Sequence, residues 1–185
     1  RNGYVRKAQL NINMIKNIGI IGGTGNMGSC FKNAFDSLGL NVQVSDINSK
    51  DKEDVLIETS DWIILTVPIN ETLKVFKNIK NKLKEDQIFS DFTSVKSIIA
   101  NDINDCNFEF ISCHPLFGPL NNLEGQNIVT IPIVSKEKHK LIIEIFKKIG
   151  LKITELKNLN EHDKYMSLIQ GMTHFSHVCF TTAMK

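Results

Sequence analysis

Six residues restrict the fold of this chain more than any other feature. Gly23-Thr24-Gly25-Asn26-Met27-Gly28, spaced G-x-G-x-x-G, stands just after the apolar run Ile18 to Ile21. A helical repeat follows through Met27, Phe31, Ala34, Phe35 and Leu38, and stops at Gly39. Strand, glycine turn and helix in that order open a βαβ unit. Each glycine then carries an expectation: Gly23 for the tight turn, Gly25 for close approach of a pyrophosphate to the backbone, and Gly28 for packing of helix on strand. Thr24, Asn26 and Met27 complete the turn, whose N–H groups and positive helix end suit phosphate. Glycine turns of this spacing also occur for structural reasons alone, so the βαβ setting is what favours a dinucleotide.

A dinucleotide site of this kind has a second requirement, an acidic residue at the end of the next strand about 20 residues on. Asp46 follows Val42-Gln43-Val44-Ser45 and meets it. A carboxylate there accepts both ribose hydroxyls of NAD and repels a 2′-phosphate, so NAD is the expected cofactor. The plainer alternative is a turn aspartate in Asp46-Ile47-Asn48-Ser49.

The rest of the chain repeats the alternation. Further β-rich runs lie at Val42 to Val44, Trp62 to Val67, Gln87 to Ser90, Phe108 to Cys113, Ile128 to Ile133 and Leu151 to Leu156. Helical spacing fills 51–59, 70–84, 95–103 and 135–148. Fully apolar strands such as Trp62-Ile63-Ile64-Leu65 belong in a sheet covered on both faces. The expected fold is therefore α/β, a Rossmann-type doubly wound, mainly parallel sheet over 17–157. Residues 1–16 show no clean period and are expected to be a linker or the tail of an upstream segment. From Asn158 a helical repeat runs through Met166, Ile169, Met172, Phe175 and Cys179. At about 25 residues, ~37 Å, it is too long for one more sheet-covering helix. Residues 158–185 are thus expected to begin an all-helical second domain, with both ends of the chain looking cut.

Bulk properties exclude several classes. A net charge of +2 over 185 residues, with basic residues spread along the chain, gives no reason to expect a nucleic-acid or membrane partner. The lysines of 74–84 alternate with Val75, Phe76, Ile79 and Leu83 at helical spacing, and form the solvated side of a helix. No apolar run approaches the ~20 residues of a membrane span, and no signal pattern opens the chain, so a cytoplasmic protein is expected. Cys30, Cys106, Cys113 and Cys179 make no C-x-x-C pair, which points to reduced, mostly buried thiols and no metal site.

Three clusters follow the ends of later strands, where ligands of open α/β sheets bind. They are Thr66-Val67-Pro68-Ile69, Asp91-Phe92-Thr93-Ser94-Val95-Lys96 and His114-Pro115-Leu116-Phe117-Gly118-Pro119. Taken singly, Ser94 is a helix cap, His114 a loop histidine and Lys96 a surface helix lysine. Their placement at successive strand ends makes them candidates to ring one cleft, with Val67 and Pro68 on its cofactor side.

With these segments in place, the sequence from about Asn17 onward resembles the prephenate and arogenate dehydrogenases. Glu161-His162-Asp163 and Thr173-His174-Phe175-Ser176-His177 add to the likeness, and His114-Pro115-Leu116-Phe117-Gly118-Pro119 is its most specific part. The resemblance implies NAD-dependent oxidation and decarboxylation of prephenate, or of arogenate, in tyrosine biosynthesis. It implies Ser94 and His114 against the nicotinamide and the ring hydroxyl, with His174 or His177 lining the substrate pocket and the full-length protein a homodimer. A neutral imidazole suits the proton acceptor, which favours His114, and Lys96 is a candidate for substrate charge. Members of the family also present an arginine to the substrate carboxylate. Here the only arginines are Arg1 and Arg6, before the first strand, so no residue matches it and the chain alone is expected to bind NAD but turn over prephenate poorly. Two other readings remain. One is another Rossmann-type hydroxyacid dehydrogenase, and the other a non-catalytic dinucleotide sensor, for which Ser94 and His114 are superfluous.

Overall fold

The structure, a computed structural model, describes residues 14–46, 50–103, 105–134 and 137–184. Seven strands form one sheet: β1 (Asn17–Ile21), β2 (Asn41–Ser45), β3 (Trp62–Leu65), β4 (Ile88–Asp91), β5 (Glu109–Pro115), β6 (Asn127–Val134) and β7 (Lys152–Glu155). Their order across the sheet is β2-β1-β3-β4-β5-β6-β7. The first five strands run parallel, while β6 is antiparallel to β5 and parallel to β7. The chain passes from β1 to β2 on one side and returns to β3 on the other. The switch point, where such sheets bind ligands, therefore lies at the C-terminal ends of β1 and β3.

Strand alternation explains why both faces are covered. Ile18, Ile20, Trp62, Ile64, Ile88, Ile111 and Cys113 point to the face packed by α1 (Asn26–Ser37) and α4 (His139–Lys148). Ile21, Ile63, Leu65, Phe89 and Phe110 point to the other, packed by α2 (Lys50–Thr59) and α3 (Ile69–Ile79). With both sets of side chains buried, the strands lack the apolar/polar alternation of a one-sided sheet. Trp62 anchors the first face against Phe35 and Phe146, with ring centroids 5.3 and 5.6 Å away. At the start of β5 the buried Glu109 carboxylate accepts the N–H groups of Glu137, Lys138 and His139, at 3.4, 3.0 and 2.7 Å. It thereby satisfies the open N-terminus of α4, which has no side-chain cap of its own.

Four expectations are corrected. The segment 95–103 is not an α-helix but a turn followed by the short 3-10 helix Ala100–Asp102. Its N–H groups at Lys96 and Ser97 are taken by the Asp163 carboxylate rather than left to a helix. Strand β5 runs on through His114 and Pro115, so His114 is a strand residue and not a loop one. The sheet domain starts before Asn17: Ile15 is buried in its core, and the N–H groups of Lys16 and Asn17 bond Asp61. Of the four thiols, all free, only Cys30 and Cys113 are buried. The expected linker over 1–16 lies, up to residue 13, outside the described residues.

The last element, α5 (Leu159–Ala183), has 25 residues. Asn158 caps it by accepting the Glu161 N–H at 2.8 Å, while the Glu161 carboxylate reaches back to accept the Lys157 N–H at 3.0 Å, and together the two bonds fix where the helix starts. Only its first turns pack on the sheet, through Leu159, His162 and Met166. Beyond them Ile169, Met172, Phe175 and Val178 are exposed. No helix among the described residues is long and apolar enough to cross a membrane.

Candidate active site

The glycine turn after β1 is built so that side chains do not fit. Gly22 has φ +82°, and the N–H groups of Gly22 and Gly23 both reach Ser45 O, at 2.9 and 3.3 Å. The left-handed residue is thus Gly22, not Gly23 as the spacing implies. Gly23 is required for another reason, since a Cβ there would lie 2.5 Å from Val44 Cγ1. At Gly28 a Cβ would meet Gly22 O and Gly23 Cα, each at 2.6 Å, so glycine is what lets α1 close on β1. Gly25 is the N-cap of α1 and its Cβ would touch only Gly22 O, at 3.2 Å. No side chain caps that helix, which leaves N–H groups at the Asn26–Gly28 end for a ligand.

Two neighbours complete this cradle. The Thr24 hydroxyl donates to the Asp46 carboxylate, closing the gap between the glycine turn and the end of β2. Thr66 Oγ1 donates to Ile21 O and Gly22 O, each at 3.1 Å, and so locks the end of β3 to the same turn. Val67 is half-buried beside Gly22, and Pro68 N-caps α3. Every residue assigned to the cofactor from sequence lies at this switch point.

A second centre sits at the ends of β4 and β5. His114 points to the face covered by the first turn of α5, and its Nδ1 lies 2.9 Å from His162 Nε2. His162 Nδ1 in turn lies 2.9 Å from Asp163 Oδ1. Asp163 also accepts the Lys96 N–H (3.1 Å) and the Ser97 N–H (2.9 Å), tying α5 to the loop that carries Ser94. Burial, with the charges of Lys96 and His162, pushes the His114 pKa down to about 4. Burial likewise lowers His162, against the opposing effect of its bond to Asp163. For Asp163, burial raises the pKa, but hydrogen bonds from His162 and from the backbone of Lys96 and Ser97 outweigh it and leave it lowered. At neutral pH both rings are therefore uncharged and the carboxylate is ionised. Ser94 is exposed in the loop after β4, two residues before the Lys96 N–H that Asp163 holds, with no side-chain hydrogen bond among the described residues.

One sequence expectation fails here. Lys96 is neither a surface lysine nor a cation facing a substrate: it is fully buried, 2.7 Å from Asp91 Oδ2 and 2.6 Å from Cys113 O. The loop turns inward at this point because the Asp91 carboxylate, itself fully buried, needs a counter-charge. His174 and His177 lie on the exposed part of α5. His174 is 12 positions beyond His162, ~18 Å along the axis. Sequence reasoning assigned no role to His162, Asp163 or Asp91. The one available signal was Glu161-His162-Asp163 just after the N-cap Asn158, which places two polar groups on the part of α5 that packs on the sheet.

Residues 31–155 match the family model described as prephenate dehydrogenase, nucleotide-binding domain. The chain is 32% identical to a probable arogenate/prephenate dehydrogenase of Methanocaldococcus jannaschii, covering 91% of this chain and 42% of the relative. It is 28% identical to the T-protein of Haemophilus influenzae, covering 95% and 48%. The chain thus spans about half the length of the curated relatives it matches. In fold it resembles the crystal structure of prephenate dehydrogenase from Aquifex aeolicus, with a TM-score of 0.72 at 23% identity over 91% of this chain and 71% of that one. With more than half of its length matched by the family model, the chain belongs to the prephenate dehydrogenase nucleotide-binding domain family.

Proposed function

We propose that this chain carries the cofactor site and the proton acceptor of an NAD-dependent enzyme that oxidatively decarboxylates prephenate to 4-hydroxyphenylpyruvate, a step of tyrosine biosynthesis. The observation that carries the proposal is a neutral, buried His114 with one ring nitrogen bonded and the other without a partner among the described residues, beside a cradle that rejects side chains. A cytoplasmic location and a homodimer of the whole protein go with it.

The residues present fit NAD. Gly23 and Gly28 leave no room for Cβ atoms, the N-terminus of α1 is uncapped, and Asp46, held by Thr24, would face the ribose. When bound, NAD supplies the hydride acceptor, nicotinamide C4. The Gly22–Gly28 turn would hold the pyrophosphate, Asp46 the ribose hydroxyls, and Val67 and Pro68 would border the same cleft.

Prephenate carries a ring hydroxyl that must lose its proton as its carbinol carbon is oxidised. The ring then becomes aromatic by releasing its carboxylate as carbon dioxide. His114 takes that proton. With its pKa near 4 it is in the acceptor form throughout the physiological range, and it takes the proton on the ring nitrogen that His162 leaves free. Ser94, at the mouth of the same loop, orients the hydroxyl. Lys96 contributes no charge to the substrate, because Asp91 already neutralises it.

The test is a steady-state assay with NAD and either prephenate or arogenate, on the protein in the length in which it is encoded. Turnover of prephenate, lost when His114 is replaced, supports the proposal. Turnover of arogenate alone would move the substrate, and NAD binding without turnover of either would favour a sensor.

A further inference from the structure

We propose that His162 and Asp163 are positioning residues that set the tautomer of His114, so that its Nε2 is the basic atom. The inference rests on the reading of His114 as proton acceptor and adds to it which nitrogen accepts, and why.

The direction of the chain is forced from its far end. The Asp163 carboxylate is ionised and can only accept, and it is held in place by the Lys96 and Ser97 N–H groups. Its neighbour at 2.9 Å, His162 Nδ1, must therefore carry a hydrogen. Because burial keeps His162 neutral, its Nε2 then carries none and can only accept. The atom facing it at 2.9 Å is His114 Nδ1, which must in turn be the N–H. A neutral His114 with hydrogen on Nδ1 has its lone pair on Nε2.

A free imidazole has no reason to adopt this form, so the protein selects it through two further residues. When Nε2 accepts a proton, no bond in the chain has to reverse. His114 Nδ1–H still donates to His162, whose Nδ1–H still donates to Asp163. The positive charge formed on His114 is offset through that chain by the Asp163 carboxylate. The other charged groups facing the ring are Lys96, which opposes that charge, and Asp91, which favours it; the two are paired with one another 2.7 Å apart. Asp163 also bonds the Ser94 loop, so the same carboxylate fixes both the base and the loop beside it.

The deciding measurement is a long-range 1H–15N correlation spectrum of the 185-residue chain labelled at histidine nitrogen, at pH 7. His114 and His162 should both appear with hydrogen on Nδ1. In His162→Phe, His114 should move to the Nε2–H form. In His162→Gln, whose side-chain carbonyl can still accept from His114 Nδ1–H, it should stay as in the parent. In the encoded protein, kcat should fall about 10²-fold in His162→Phe, the lower range for loss of a general base. Most of that loss should return in His162→Gln, with KM for NAD unchanged. An Nε2–H tautomer for His114 in the parent chain would overturn the proposal, as would an unchanged tautomer in His162→Phe. If His162→Phe does not fold, the parent spectrum decides alone. If the tautomers are as stated but neither prephenate nor arogenate is turned over, the proposed function fails and the positioning chain stands.

Discussion

Replacing Lys96 by Met should cost this domain a large part of its stability, although the lysine touches neither the cofactor cradle nor solvent. Lys96 and Asp91 have no exposed side-chain surface and lie 2.7 Å apart. Asp91 Oδ2 accepts one further hydrogen bond, from the Thr93 N–H at 3.1 Å, and Asp91 Oδ1 has no partner among the described residues. Without the ammonium group, a carboxylate would stay buried with a single backbone donor, and Cys113 O would lose its donor as well. Breaking a buried pair from one side costs about 3–5 kcal/mol. A domain of this size has roughly 5–15 kcal/mol in total, and each kcal/mol is worth about 2–4 °C, so Tm should fall by roughly 6–20 °C.

Urea unfolding followed by the fluorescence of the single, fully buried Trp62 measures this directly. The double variant Asp91→Leu/Lys96→Met should be more stable than Lys96→Met alone, because it removes the stranded charge together with its partner. A loss below about 1 kcal/mol for Lys96→Met, or a double variant whose loss is the sum of the two single ones, would refute the reasoning. In the encoded protein, Lys96→Met should also let the His114 pKa climb from about 4 toward its usual value, since the lysine charge is one cause of the depression. The acid limb of the rate profile should move up with it.

Replacing His114 by Asn keeps a hydrogen-bonding side chain but removes the proton acceptor. The rate should fall by about 10²- to 10⁴-fold with NAD binding nearly intact, as read by steady-state kinetics and calorimetry. Asp46→Ser should narrow the preference for NAD over NADP in direct titrations, and equal affinities in the parent would contradict the ribose role. Gly28→Ala places a Cβ 2.6 Å from Gly22 O, so thermal unfolding should show about 1–3 kcal/mol of destabilisation and calorimetry weaker NAD binding. Stability should also fall in mild acid. His114 titrates at about 4 when folded and near 6.5 when unfolded, so the unfolded chain binds more protons between these values. Stability is complete above pH 6.5 and is lost as the pH falls toward 4, by about 2 kcal/mol from this group after allowance for solvent screening. Urea midpoints at pH 7 and pH 4.5 test the sign, which His114→Asn should diminish.

The sequence by itself determined the parts of this protein that depend on local spacing. The glycine turn, Asp46 at the end of β2, the six later strands and the long α5 are visible because period, turn chemistry and capping act over a few residues. The correspondence of Ser94 and His114 to strand ends follows from that alternation. What the tertiary structure alone decided are the interactions that join distant positions. Asp163 reaches Lys96 and Ser97 across 67 and 66 residues of chain, and His162 reaches His114 across 48. No local pattern encodes such pairs. The same holds for Lys96, whose spacing in the loop reads as a surface cation. Its direction is set by the buried carboxylate of Asp91, whose desolvation in the core has to be offset by an opposite charge. The left-handed residue fell at Gly22 rather than Gly23 for a similar reason. The turn must bond Ser45 O with two successive N–H groups while clearing Val44 on the neighbouring strand, and that contact exists only once the sheet has formed.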